Sequence, residues 1–445
     1  MLNFDLTPEQ KEVREMVREF ARREILPIAW YYDEQDRMPL EILKKAFDAG
    51  IMNTDIPEEY GGKGYGAVES ALITEEIAAA CPGLATSIFD NSLGMEPLFL
   101  SSNETAKKKY LTRIAKEFKL ICFATSEPTA GSDVSAIRCR AEPDGEDYIL
   151  NGAKYWITNG GVADYVTVFA TVDPEKKHEA ICAFVVEMDQ EGVTRGRPIP
   201  KMGQRNSNTT GIHFKDVRVP KENVLAHPGE GFLLAMRTFG RTRPMIGAFA
   251  VGAARSALEF AVDYMKKRRA FGSPLANFQS LQFKAAEMFQ KVETSRLLVW
   301  KASWEADTGQ DPTINASIAK FYATESALEV ANEALQILGG FGYTKMFPVE
   351  KLLRDIRLYR IYEGTSEIQR MIVSGYVMNV YKPVMPPLED LPLLREKTPE
   401  DIQKAGDTAW RCRICGHVHV GREAPEVCPY CFFPKSAFKA GKWEE

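Results

Sequence analysis

Four cysteines fall in the last forty residues as Cys412-Arg413-Ile414-Cys415-Gly416 and Cys428-Pro429-Tyr430-Cys431, a CxxCG and a CPxC separated by twelve residues. Two tight turns that each present a pair of thiolates make a tetrahedral S4 site, which suits either Zn²⁺ or a single redox iron. On spacing alone a structural zinc is the commoner occupant. Other chemistry-bearing patterns lead nowhere. His178, His213, His227, His417 and His419 show no helical metal spacing, and the chain has neither a P-loop nor HExxH. Gly62-Lys63-Gly64-Tyr65-Gly66-Ala67 fits GxGxx(G/A), but Ile56-Pro57-Glu58-Glu59-Tyr60 before it cannot be a buried parallel strand. It reads as a loop, not a dinucleotide cradle.

The elements that must carry any such site come from 445 residues, enough for two to four domains. The composition, 45% hydrophobic and 26% charged, is that of a globular protein, and a net charge of −5 argues against nucleic-acid binding as the main task. The longest apolar stretch, Ile246 to Ala254, is too short to cross a bilayer. No basic segment followed by an apolar one opens the chain, so a cytoplasmic location is expected. Cys81, Cys122, Cys139 and Cys182 are scattered singly, as reduced core thiols are.

Thr7-Pro8-Glu9-Gln10 has the form of a capping box opening a helix through Val13, Val17 and Ile25. Helical periods recur at 40–49, 67–80 and 104–116. From about Leu120 the pattern turns β-rich, with runs at 148–150, 154–157, 165–169 and 181–186. Asn151-Gly152 and Asn159-Gly160 suggest hairpin turns between them, and a mostly antiparallel sheet is expected. Long helices return after Gly231: a short piece at 232–237, then 244–269, 275–307, 313–338, 349–359 and a last one from Ser366, which predict an antiparallel four-helix bundle. The expected domains are therefore a helical 1–118, a β-domain 119–230, a four-helix bundle 231–382, a proline-rich linker 383–408 and a metal knuckle 409–445.

Several collinear motifs resemble the acyl-CoA dehydrogenase family, its medium-chain members in particular, over about residues 4–381. They include Ser126-Glu127-Pro128-Thr129-Ala130-Gly131-Ser132-Asp133, Asn151 to Gly160, Met202-Gly203-Gln204-Arg205 and Arg269-Ala270-Phe271-Gly272 with Gln279. Gln336 to Gly342 and Ile361-Tyr362-Glu363-Gly364-Thr365-Ser366-Glu367 follow. The tail from Trp410 to Phe438 resembles the rubredoxin domain of rubrerythrins, which tips the metal toward iron, with zinc as the alternative.

What the resemblance implies is specific. Glu363 is the catalytic base that takes the α-proton of an acyl-CoA thioester while the β-hydride goes to FAD. A carboxylate covered by an apolar acyl chain loses hydration, so its pKa should rise. Thr125, Ser126, Trp156, Thr158 and Thr365 contact FAD; Arg268, Phe271, Gln279, Gln336 and Gly340 hold the FAD of a neighbouring subunit, which implies a homotetramer. Ser132, Arg243, Tyr362 and Gly364 contact substrate. Asp90 is a departure: an acid in the helix under the acyl pocket, placed to bind a substrate functional group or serve as a second base. Electron-transfer flavoprotein or another redox protein is the implied external acceptor. Against this stands a tail that is a zinc-bound docking module; its seven basic and five acidic residues from Lys404 onward give no nucleic-acid footprint.

Overall fold

The computed structural model describes residues 5–385 and 408–441, so most of the expected linker lies outside the described residues. Residues to Asn379 form one compact unit and those from Val380 a second.

The helical N-terminal region starts where its cap requires. Thr7 Oγ1 accepts from the Gln10 amide at 3.2 Å, and Gln10 Oε1 accepts from the Thr7 amide at 3.0 Å, opening α1 (Pro8–Phe20). A π turn over Ala21–Ile25 and α2 (Leu26–Glu34) carry the helical path beyond Ile25. α3 (Leu40–Asp48), α4 (Ala67–Ala80), α5 (Pro82–Leu100) and α6 (Glu104–Lys116) complete the region. Helix α5 had no periodic signal, because it is buried on nearly every face, with the polar Ser87, Asp90, Asn91 and Glu96 inside, and contains Gly94 and Pro97. It is the central helix of this region.

The β-region has strands β1 (Ile121–Ala124), β2 (Arg140–Asp144), β3 (Asp147–Thr158), β4 (Tyr165–Thr171), β5 (Ile181–Glu187), β6 (Val193–Arg195), β7 (Thr209–Val219) and β8 (Val224–Ala226). They form one sheet in the order β6-β7-β3-β2-β4-β5-β8, with β1 beside β4. Only the β1–β4 and β2–β4 pairings are parallel. Both Asn-Gly signals mark something other than a hairpin. Gly152 lies inside β3 at a register shift against β7, with φ +146°, where a Cβ would come within 2.8 Å of Cys139 Cα; it makes a bulge. Asn159-Gly160 does end β3, but the next strand pairs with β1, β2 and β5 instead. Gly94 of α5 packs against β1, where a Cβ would meet the Ile121 carbonyl oxygen at 2.8 Å.

In the C-terminal region α7 (Gly231–Lys267) is continuous through Pro244, not two pieces. Its packing against α4, α8 (Gln279–Asp307) and α9 (Thr313–Leu338) outweighs the hydrogen bond that proline forfeits. A two-residue hairpin, β9 (Arg269–Ala270) and β10 (Ser273–Pro274), joins α7 to α8. α10 (Val349–Ile356) runs into a 3₁₀ turn at Arg357–Arg360, and α11 (Ser366–Asn379) follows.

Buried charge ties the helical regions together. On α4, Glu76 is bound by Arg18 of α1 at 2.8 Å and Arg255 of α7 at 2.7 Å, and Glu75 by Arg296 of α8 at 2.9 Å. In the second unit, β11 (Thr408–Cys412) sits between β12 (Val418–Gly421) and β13 (Phe438–Ala440), all antiparallel. Trp410 closes it by donating from Nε1 to the Gly421 carbonyl at 3.1 Å.

Candidate active site and metal centre

Glu363 sits on the turn between the 3₁₀ segment and α11 in left-handed backbone, φ +56°, followed by Gly364 at φ +86°. A non-glycine residue there is strained and must be held by its surroundings. Three side chains hold it through carbonyls. Arg243 Nε of α7 donates to the Glu363 carbonyl at 3.3 Å, while Lys320 Nζ of α9 and Gln369 Nε2 of α11 donate to the Gly364 carbonyl at 2.7 and 3.0 Å. Gly364 is required: a Cβ would lie 2.5 Å from Gln369 Nε2.

The carboxylate itself is lightly held. Thr242 Oγ1 donates to Oε2 at 3.1 Å, and buried Oε1 has no partner. Burial pushes the Glu363 carboxyl up to about 7 against the pull of Arg243, Thr242 and Lys320. Asp90 of α5 reaches the same space, buried with Oδ2 unpartnered, and its pKa stands well above the ordinary range through burial and then the charge of Glu363. Lys320, fully buried, is brought down to about 7 by burial, which Glu363 opposes. Tyr362 stacks on Tyr359 at 5.9 Å. A cavity of about 340 Å³ reaches this group at Thr242; Phe89, Ser92 and Met245 share its wall with the charged Glu96, Arg241 and Asp307, while Glu363 and Asp90 lie behind it. A base of neutral pKa with a buried oxygen free of partners is equipped to take a proton.

The structure thus gathers Glu363, Gly364, Tyr362, Arg243 and Asp90, with Thr365 capping α11 through Oγ1 to the Ile368 amide at 3.3 Å. A second group forms where β1 and β3 lie close. Tyr155 donates to the Ser126 carbonyl and Lys154 Nζ to the Thr125 carbonyl, both at 2.9 Å. Thr125 is buried with its hydroxyl unpartnered, and Trp156 is 59% exposed despite lying in a strand. An orphaned hydroxyl and an open indole face, with Thr158 at the strand end, suit a planar ring with a polar edge. Ser132 stays exposed in the loop before β2. Arg268, Phe271, Gln279, Gln336 and Gly340 sit at the far end of the bundle, at the ends of α7, α8 and α9. Arg268 lies over Phe341 at 6.0 Å and Phe271 is 97% exposed.

Cys412, Cys415, Cys428 and Cys431 bring their sulfurs within 4.8 Å of one another, with Cys412–Cys431 and Cys415–Cys428 each at 3.6 Å. A tetrahedron with metal–sulfur bonds of about 2.3 Å has edges of about 3.8 Å, so the four thiols are set for one metal ion. Backbone amides of Cys415 and Ile414 hold the Cys412 thiol down at about 7.

Family profiles match in chain order: Acyl-CoA dehydrogenase, N-terminal domain over residues 7–117, middle domain over 122–217 and C-terminal domain over 229–378. The chain belongs to the acyl-CoA dehydrogenase family. It is accordingly an oxidoreductase acting on a CH–CH bond. The profile for Rubrerythrin, rubredoxin-like domain matches residues 410–439. A probable medium-chain specific acyl-CoA dehydrogenase 2, mitochondrial, of Caenorhabditis briggsae is 40% identical over 380 residues, 85% of this chain and 92% of the relative. The solved butyryl-CoA dehydrogenase of Megasphaera elsdenii is 36% identical with a TM-score of 0.83, covering 85% of this chain and 100% of that one. A chain in the structure described as "Electron transferring flavoprotein of Acidaminococcus fermentans: Towards a mechanism of flavin-based electron bifurcation" is 37% identical, TM-score 0.83, over 85% and 100%.

Sequence reasoning missed Thr242 as the hydrogen-bond donor to Glu363, and Lys320 and Gln369 as clamps on its loop. Lys320 left a signal: it shares a helical face with Ala316, Ala323, Ala327 and Ala331, all buried. A lysine on an apolar stripe of small residues is out of place unless it has a buried task.

Proposed function

We propose that the enzyme oxidises an acyl-CoA thioester to its 2,3-enoyl-CoA, with Glu363 as the base that removes the α-proton. The observation that carries this is the buried Glu363 carboxyl at about 7, with one free oxygen, locked in left-handed backbone. FAD, when bound, supplies the acceptor for the β-hydride. Thr125, Ser126, Trp156, Thr158 and Thr365 would hold its ring, and Arg268, Phe271, Gln279, Gln336 and Gly340 the pyrophosphate and adenine of a neighbouring subunit's FAD in a homotetramer, in keeping with the exposure of Phe271. Arg243, Tyr362, Gly364, Asp90 and Ser132 would contact substrate, and the cavity beside Phe89 and Thr242 gives the acyl chain room. The Glu363 amide, fixed by the loop clamps, polarises the thioester carbonyl. Free buried thiols at Cys81, Cys122, Cys139 and Cys182 agree with a cytoplasmic location. The domain limits proposed are 1–118, 119–230, 231–382 and 409–445, with 383–408 as linker.

For the four-cysteine site we favour iron, because the matched domain is rubredoxin-like. Loaded with iron, the site supplies a one-electron carrier for exchange with the flavin; a two-electron turnover then still needs an external acceptor, electron-transfer flavoprotein or another redox protein. A zinc-filled docking module is the second reading, favoured by the exposure of Ile414, Val427, Tyr430 and Phe432. Anaerobic addition of straight-chain acyl-CoAs to the purified protein tests both. The expected result is bleached flavin absorbance, enoyl-CoA product, and loss of an Fe³⁺–thiolate band at a rate independent of protein concentration. No bleaching with straight-chain acyl-CoAs of any length or with cyclic or functionalised ones removes the dehydrogenase reading; zinc in the metal analysis, or iron that stays oxidised, leaves the tail a docking module.

A further inference from the structure

We infer that Lys320 is a positioning residue for the base: it clamps the Gly364 carbonyl and its charge keeps Glu363 ionised in a site that otherwise favours the acid. The inference rests on the proposed role of Glu363 and adds a partner to it. Lys320 lies in the middle of the apolar stripe of α9, fully buried, with its Nζ 2.7 Å from the Gly364 carbonyl oxygen. A single carbonyl is a poor return for burying an ammonium group that carries three donors. A stabilising helix residue would be alanine, as at Ala316, Ala319 and Ala323 around it.

The charges facing the pair come from every packed element. Glu363 meets Arg243 of α7, Lys320 of α9 and Asp90 of α5. Lys320 meets Glu363, Arg243, Glu325 of its own helix and Glu367 of α11. Glu325 is engaged by Arg360 at 2.9 Å and Arg370 at 3.4 Å, and Glu367 by Arg370 at 3.7 Å. That leaves the Glu363 carboxylate as the acid near Lys320 without an arginine ion pair of its own. Arg243 spends its Nε on the Glu363 carbonyl. Burial brings both Lys320 and Glu363 to about 7, one from above and one from below, and the charge of each opposes that shift in the other. When Glu363 takes up a proton, Lys320 loses the attraction of that anion and its own pKa falls further.

Lys320→Gln keeps a donor for the Gly364 carbonyl and removes the charge; Lys320→Met removes both. The readout independent of turnover is the carboxylic-acid carbonyl band in an infrared pH titration, assigned by its loss in Glu363→Gln. In Lys320→Gln the Glu363 midpoint should rise by about one pH unit, as expected for loss of a neighbouring opposite charge. The acid limb of flavin reduction should move with it, to roughly tenfold slower below the midpoint and within about threefold at alkaline pH. An unshifted midpoint in a folded Lys320→Gln protein overturns the inference and leaves a structural clamp. Should neither variant accumulate, the same titration in Asp90→Asn decides, because with the other coupled carboxyl removed two interacting ionisations near neutrality are still required and a single one overturns the inference. Wild-type protein whose flavin no acyl-CoA reduces, with the Glu363 midpoint still shifted in Lys320→Gln, would instead remove the proposed function and leave the pairing of the two groups.

Discussion

Glu363 and Glu76 are two glutamates withdrawn from water in the same unit, and they end in opposite states. Glu76 on α4 is gripped at both oxygens by Arg18 and Arg255, and despite burial its pKa lies below the ordinary value. Glu363 receives one hydroxyl at Oε2, nothing at Oε1, and has its cations spent on neighbouring carbonyls; its pKa goes up to about 7. Burial is common to both, so the partners decide. A glutamate with two guanidinium partners is a fixed anion that joins helices, whereas one with its cations held at arm's length remains a base.

The largest effect should come from removing the base. Glu363→Gln preserves shape and the Thr242 contact, so FAD and acyl-CoA binding should persist while flavin reduction in rapid mixing falls by about 10²–10⁴-fold. Reduction at near wild-type rate would transfer the role to Asp90. The matching change on the other side, Glu76→Ala, should leave the pH profile of reduction alone and cost about 3 kcal/mol of stability by denaturant unfolding. That is the low end for a broken buried ion pair, because Arg18 keeps a third of its side chain in water. A shifted pH profile in Glu76→Ala would mean the two regions are not independent.

Much of this contrast was invisible in the chain. The Tyr362-Glu363-Gly364-Thr365 turn was legible because its conformation is local: a glycine after the glutamate permits the left-handed pair of residues, and Thr365 caps the next helix. The spacing of Cys412, Cys415, Cys428 and Cys431 was legible for the same reason. Helix α5 was not, since a helix buried on all faces has no amphipathic period, and Asp90 was placed only by likeness to relatives. Lys320 is 44 positions from Gly364, and nothing near it in sequence shows what its ammonium meets. Asn151-Gly152 misled because a glycine needed for close approach to Cys139 looks the same as one needed for a turn.

A pH experiment on stability sharpens the comparison further, because the two glutamates contribute with opposite sign. Glu363 has a folded pKa near 7 against an unfolded value near 4.5, so the folded protein holds the extra proton between them. Its contribution is complete below about 4.5 and is lost as pH rises through about 7. Glu76 has a folded pKa below 4.5, so its contribution is present above that value and is lost as pH falls through the folded one. Thermal melts across this range should show Glu363→Gln relatively stabilised on the alkaline side and Glu76→Gln losing most of its deficit on the acid side. The same slope in both variants would remove the distinction between fixed anion and base.

The smallest change in rate should come from Asp90, and it asks which carboxyl of the facing pair holds the proton. Both have a buried oxygen without a partner, and the charge of Glu363 raises the pKa of Asp90 beyond what burial alone does. Two carboxylates cannot both ionise cheaply in one pocket, so Asp90 should be the neutral member at working pH. A protonated carboxyl donates one hydrogen bond and carries no charge, which an amide imitates closely. Asp90→Asn should therefore leave the acid limb of flavin reduction where it is and change straight-chain acyl-CoA rates by less than about tenfold. Its effect should fall on ranking, with acyl groups that carry a ring or a polar function losing more than straight chains, since the donor they would meet has changed from a carboxyl O–H to an amide N–H. A limb that moves to lower pH in Asp90→Asn would show that Asp90 is ionised beside Glu363, and an unmoved ranking would place it outside the acyl pocket's contact surface.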